Sequence, residues 1–162
     1  MPDNELILIR GTPGSGKSTL AGSLEYHMYV HIEADNYFIN KETGEYEFDP
    51  SKLGEAHKEC QQKARSLLES GNSVVVANTF TTKKELKPYF TIAKEFGITP
   101  QVILCQGNYG SIHDVPEETV KKMKARFEYD ISSLYEGTYL SFTAKIENGH
   151  VSEIKQDKGE DK

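Results

Sequence analysis

The sequence predicts an α/β protein: a mostly parallel sheet of four to five strands, covered by helices on both faces in three layers, with a β-hairpin near the C-terminus. Three observations carry this. Short β-rich runs alternate with stretches of helical periodicity along most of the chain. A glycine-rich loop joins the first such run directly to the first helix. Near the end, Leu140, Phe142, Ala144 and Ile146 alternate with polar residues, Asn148-Gly149 supplies a tight turn, and Val151 and Ile154 follow.

Element by element, Leu-Ile-Leu-Ile within Glu5 to Arg10 reads as a buried central strand, and Ser18 to His27 as a helix. Tyr29 to Ala34 reads as a second strand, ending at Asp35, and the polar stretch Lys41 to Phe48 as a short turn or hairpin. Asp49 offers an N-cap and Pro50 a first helical position. Leu53, Ala56, Cys60, Ala64 and Leu67 then keep helical spacing to a stop at Gly71. Val74 to Ala77 is a third strand. A helix runs from about Thr82 to Phe96, with Pro88 placed where it can bend it, and Val102 to Cys105 is a fourth strand. Pro116 opens a further helix, with Glu117 and Glu118 favoured in its first turn. Val120, Met123, Phe127 and Ile131 give it an apolar stripe for the core. The expected organisation is one domain over 1–155, with a disordered tail over 156–162.

Composition narrows the function. A chain of 162 residues with 36% hydrophobic and 27% charged residues is globular. Its longest apolar runs, Leu6 to Ile9 and Val74 to Ala77, are too short to cross a bilayer. The N-terminus lacks the layout of a signal peptide, and Cys60 and Cys105 stand apart without metal-ligand neighbours. A cytoplasmic protein with reduced cysteines and no membrane partner is expected. The net charge is −6, and the stretch from Lys145 onward contributes only −1 of it. A broad, non-specific grip on polyanions is therefore disfavoured, while a local basic pocket is not.

Gly11-Thr12-Pro13-Gly14-Ser15-Gly16-Lys17-Ser18 fits G-x-x-x-x-G-K-[ST] between a strand and a helix. The glycines let the backbone curl so that successive N–H groups face one anion-sized hollow. Lys17 places a cation on the outer phosphates, Ser18 offers a hydroxyl to Mg²⁺, and the helix running through Thr19 adds its positive end. The spacing predicts a P-loop NTPase or kinase-like fold binding ATP or GTP with Mg²⁺. The rival dinucleotide fingerprint fails for want of a third glycine at the required place.

A kinase also needs a base for the acceptor hydroxyl and positive charge on the transferring group. Asp35, just past a strand on the phosphate side, is the candidate base and a candidate ligand of the metal; its position equally suits a turn or a helix cap. Glu33 belongs either beside it or in the layer covering the sheet. The third strand ends in Asn78 rather than a carboxylate, so Asn78 is expected to meet a metal-bound water without bringing charge. The loop Gln106 to Val115, where small kinases carry a lid, has no Lys or Arg; the groups in it that titrate at or below neutral pH are His113 and Asp114. Arg126, on the next helix, is the candidate phosphate contact.

Taken in order, these segments resemble the polynucleotide-kinase-like P-loop proteins: Arg10 through Ser18, Ala34-Asp35-Asn36-Tyr37-Phe38, Tyr46-Glu-Phe-Asp-Pro50 and Glu55-Ala56-His57. Asn78-Thr79, Lys87-Pro88-Tyr89, His113 to Pro116 and Met123 to Phe127 continue the match. The resemblance covers Leu6 to about Asp130. It implies that Asp35 is the general base toward an acceptor hydroxyl. Relative to the kinases proper, this chain has Phe38 where an Arg is expected, Asn78 where an Asp is expected, and a shorter, uncharged lid. Two functions follow as expectations. One is an ATP-dependent transferase acting on a small hydroxyl substrate, nucleotide or weakly held nucleic acid end. The other is a nucleotide-binding module working through a protein partner.

Overall fold

The computed structural model describes residues 3–107, 116–132 and 139–157. Its centre is a six-stranded sheet of order β2-β3-β1-β4-β5-β6. The strands are β1 (Leu6–Arg10), β2 (Tyr29–Ile32), β3 (Ser73–Ala77), β4 (Gln101–Gln106), β5 (Leu140–Glu147) and β6 (His150–Gln156). The first five run parallel and β6 returns antiparallel to β5. The hairpin foreseen at the C-terminus is thus part of the main sheet, its first arm being the fifth parallel strand.

Alternation along β1 divides the core. Leu6 and Leu8 join a cluster with Ala56, Cys60, Leu86 and Phe90, from α2 (Leu53–Glu69) and α3 (Lys83–Glu95). Ile7 and Ile9 face the other way, onto Leu20 and Ala21 of α1 (Lys17–Glu25) and onto Ala144 and Ile146 of β5. A strand with every side chain buried needs cover on both faces, and a continuous apolar run provides it.

Several boundaries differ from the sequence expectations for identifiable reasons. Asp49 Oδ1 accepts from Ser51 N at 3.0 Å, which caps a 3₁₀ turn (Pro50–Lys52) before α2 begins. Leu68, rather than Leu67, is the last core residue of α2. The helix α3 continues through Pro88. The expected stripe on α4 (Glu117–Arg126) is not one helical face: Phe127 turns extended, with ψ 120°, and ends the helix. Phe127 and Ile131 are buried from the segment beyond it, whereas Val120 and Met123 are only half-buried. At the other end, β6 reaches Gln156, and Asp157 accepts from Ser141 Oγ (2.6 Å) and Thr143 Oγ1 (2.8 Å). Residues 158–162 lie outside the described residues. Among the described residues, no helix is long and apolar enough to cross a membrane. Cys60 and Cys105 are both buried and unpaired.

Candidate nucleotide site at the carboxyl edge of the sheet

Gly11 to Ser18 leaves β1 at its carboxyl end and feeds straight into α1. Gly11 N donates to Thr79 O (3.1 Å) and Ser15 N to Thr12 O (3.1 Å), which closes the loop onto itself and onto the end of β3. Gly16, at φ 98°, is in the left-handed region, and its missing side chain is required twice over. A Cβ there would lie 2.6–2.8 Å from Ile146 of β5. Ile146, 130 positions downstream in the sequence, is therefore the wall behind the loop. The adjacent Gly107 also comes close to both, with a virtual Cβ 2.5 Å from Ser15 O and 3.2 Å from Ile146 O.

Lys17 Nζ donates to Thr12 O at 3.1 Å, arching its ammonium across the loop. Burial pushes the ammonium's pKa down; Cys105, Glu33 and Asp35 push it back up. Cys105, in β4 beneath the loop, is itself pushed up to about 12 by burial. The glycine conformations, the lysine across the loop and the helix start fit a polyphosphate, and Ser18, the second residue of α1, stands where its hydroxyl could join a metal. Thr12, Pro13, Gly14, Ser15 and Thr19 complete the segment; Gly14 is also left-handed, at φ 82°. Among the described residues, no three His, Cys, Asp or Glu side chains converge into a metal-binding set.

Asp35 sits in a 3₁₀ turn (Ala34–Phe38) immediately after β2, half-buried, and its carboxylate acts electrostatically on Lys17. Tyr46 Oη donates to Asp35 Oδ1 at 3.2 Å. Burial, and then the charge of Asp35, push the Tyr46 hydroxyl up to about 12, so it stays a donor at neutral pH. Glu33 is held from the side: His31 bridges Glu33 Oε2 and Glu25 Oε1, 2.9 Å from each. The bond to Glu33 raises the pKa of His31, outweighing the opposing effect of burial, and Glu25 adds to the rise.

Asn78 is bonded within the protein. Its Oδ1 accepts from Ala34 N (2.8 Å) and its Nδ2 donates to Cys60 Sγ (3.8 Å), so the buried amide ties the end of β3 to the turn carrying Asp35. Arg126, the last residue of α4, is exposed. Arg10, which drew no functional reading from the sequence, is 2% exposed. Its Nε and Nη2 donate to Phe80 O at 3.1 and 2.6 Å, and its guanidinium lies 4.3 Å over the Phe127 ring. Burial brings it down to about 10, against the opposing charges of Glu85 and Glu128, and it remains a cation at neutral pH. These bonds hold Phe80 in an unusual left-handed conformation, φ 45°. The positions that carry His113 and Asp114 lie outside the described residues.

The profile of the AAA domain family matches residues 6–129. Human NEDD4-binding protein 2 is 40% identical over 94 residues, 56% of this chain but 5% of that protein. An uncharacterised protein of Pasteurella multocida is 26% identical over 133 residues, 73% of each chain. The chain thus spans only a small part of the first relative. Among solved structures, a provisionally assigned kinase of Chloroflexus aurantiacus superposes with TM-score 0.58 at 16% identity, over 90% of this chain and 86% of that one. Kti12 of Chaetomium thermophilum, solved with ADP-AlF3, gives 0.57 at 13%, over 83% and 87%. A chain of the Pnkp1/Rnl/Hen1 RNA repair complex gives 0.54 at 22%, over 83% and 42%. At these identities the structural likeness speaks for the fold. With residues 6–129 making up well over half of its length, the chain belongs to the AAA domain family and has a P-loop kinase-like fold.

Proposed function

We propose that this protein is a phosphotransferase that binds ATP or GTP with Mg²⁺ at Gly11 to Thr19 and moves the γ-phosphoryl group to a hydroxyl acceptor, a nucleotide or a polynucleotide end. The observation that carries it is that the loop bearing Lys17 and the turn bearing Asp35 both follow the carboxyl ends of parallel strands, β1 and β2, on one edge of the sheet. Lys17 holds the outer phosphates; Ser18 and Asp35 would hold the metal, which would supply charge neutralisation there. Asp35 takes the proton of the acceptor hydroxyl. That oxygen forms the new bond to phosphorus as the bond between γ-phosphorus and the β–γ bridging oxygen breaks, and the nucleoside diphosphate leaves with the electron pair. Asn78 fixes the turn that carries Asp35, and Arg126 steadies the phosphates. The similarity to a chain of the Pnkp1/Rnl/Hen1 RNA repair complex supports the polynucleotide-kinase-like reading.

One observation favours a second reading, a nucleotide-binding module with little catalysis that works through a protein partner. Arg10, the arginine beside the loop, is engaged by Phe80 O, and Arg126 is exposed. A missing phosphate-facing arginine can cost a factor of about 10³ or more in phosphoryl transfer. The test is ATP labelled at the γ-phosphate with acceptors ranging from nucleosides to oligonucleotides. Transfer supports the kinase; slow release of phosphate with every acceptor refused rejects it.

A further inference from the structure

The two edges of the sheet are finished differently. At one edge β2 is only four residues long and none of it is exposed, with His31 held between Glu25 and Glu33. At the other, β6 runs for seven residues, and every residue from Ser152 to Gln156 is exposed. Among the described residues β6 pairs on one side only, with β5. A long open edge of this kind is a template for another strand.

The phase of the ladder decides which backbone groups are on offer. Phe142 stands opposite Gln156, and Asp157 N donates to Ser141 O (2.8 Å) one step further along. Bonded and non-bonded pairs alternate in an antiparallel ladder. Lys155, opposite Thr143, and Glu153, opposite Lys145, therefore direct their N–H and C=O groups to β5. Ile154 and Gln156 aim theirs outward, and the Ile154 side chain is 49% exposed. The register skips Ser152, which bounds the regular stretch.

The side chains point to the same centre. An antiparallel copy placed with Ile154 against Ile154 sets Glu153 of each chain opposite Lys155 of the other. Opposite charges directly across a ladder stabilise it, and like charges destabilise it. A register centred on Glu153 or on Lys155 sets like charges face to face. Of these centres, Ile154 alone satisfies both backbone and charge. Among the described residues neither Glu153 nor Lys155 is in an ion pair of its own chain. Charges ordinarily blunt an edge strand; here their order matches an antiparallel copy of itself. The whole chain carries −6, which keeps copies apart elsewhere, whereas on this strand the two charges cancel.

We propose that β6 is a self-association edge. Two copies of this chain join β6 to β6 antiparallel about Ile154, so that the sheet continues from one copy into the other. The contact is short, which puts it in the weak, transient class of interfaces. It is independent of what the phosphate loop binds.

Sedimentation equilibrium of the full chain, over roughly 10 µM to 1 mM, reads the association. Wild type should pass from monomer to dimer. Glu153→Lys and Lys155→Glu should each weaken the dimer about tenfold or more, because each sets two like pairs across the two-fold axis. An equimolar mixture of the two variants should associate as tightly as wild type, since one offers lysines where the other offers glutamates. Ile154→Pro removes an N–H that faces away from β5, so it should abolish the dimer while circular dichroism shows a folded monomer. The charge reversals sit at exposed positions and decide the matter even if Ile154→Pro unfolds. A monomer throughout leaves the edge to a strand of another protein and overturns the proposal. So does a dimer unmoved by the charge reversals, which would lie on another face, and so does a mixture no tighter than its components.

Discussion

Replacing Gly16 by Ala tests how the loop is built without presupposing what it binds. At φ 98° any L-residue is strained, at a cost of about 1–2 kcal/mol. The added methyl would also lie 2.6–2.8 Å from three carbons of Ile146, a side chain 2% exposed, and overpacking of this kind costs about 1–3 kcal/mol. Together Gly16→Ala should lose about 2–5 kcal/mol, which in a domain of this size lowers Tm by about 5–15 °C. Ile146→Ala alone should lose about 2–5 kcal/mol as a buried cavity. The two changes remove each other's problem, because the methyl enters the space the isoleucine vacates. In urea denaturation the double variant should therefore be more stable than the sum of the singles, by about 1–3 kcal/mol. The backbone term remains, so rescue should be incomplete. Strict additivity would mean that Ile146 does not bear on the loop.

Lys17→Ala should fold normally yet lose measurable affinity for ATP in calorimetry, since the ammonium across the loop is the cation for the outer phosphates. Asp35→Asn should hold nucleotide affinity within a few-fold while transfer to any accepted hydroxyl falls by about 10²-fold or more in a steady-state assay, the scale of general-base catalysis. For His31 the sign follows from its raised pKa. The protonated ring gains from Glu33 and Glu25, so its contribution is fully present below the ordinary value of 6.5 and is lost as pH rises through the higher folded value. His31→Gln should therefore lower Tm more at pH 6 than at pH 9, by the equivalent of about 1 kcal/mol, discounted for the exposure of Glu25.

The phosphate loop was legible because its chemistry is local: the residues that must face one anion are consecutive, and only glycines permit the required turns. Asp35 was legible as a position, since a residue just past a parallel strand falls on the ligand edge whatever its neighbours. Its partners were not. Tyr46 reaches it only because the chain reverses between Phe38 and Glu47, and Asn78 meets Ala34 only once β2 lies beside β3. That bond of Asn78 was not legible, because its partner, a backbone N–H 44 positions away, leaves no trace in the sequence. The stripe from Val120 to Ile131 misled for the opposite reason: helical spacing continues where the helix does not, because Phe127 leaves it to lie under Arg10. Arg10 looked like the end of a strand. Its burial depends on the carbonyls of Phe80 and Thr81, an aromatic ring and nearby carboxylates supplied from elsewhere in the chain.

The wall behind Gly16 gives the protein an order of assembly. A nascent chain makes the phosphate loop 130 residues before the surface that backs it, Ile146 in β5. Until β5 docks beside β4, the loop has its glycines and its lysine but nothing to lean on. Closing so long a stretch of chain is entropically slow. Capacity to hold a polyphosphate should thus arrive abruptly, and only after β5 has been synthesised. A stalled chain lacking β5 would carry the whole motif and still be unable to compete for nucleotide in the cell.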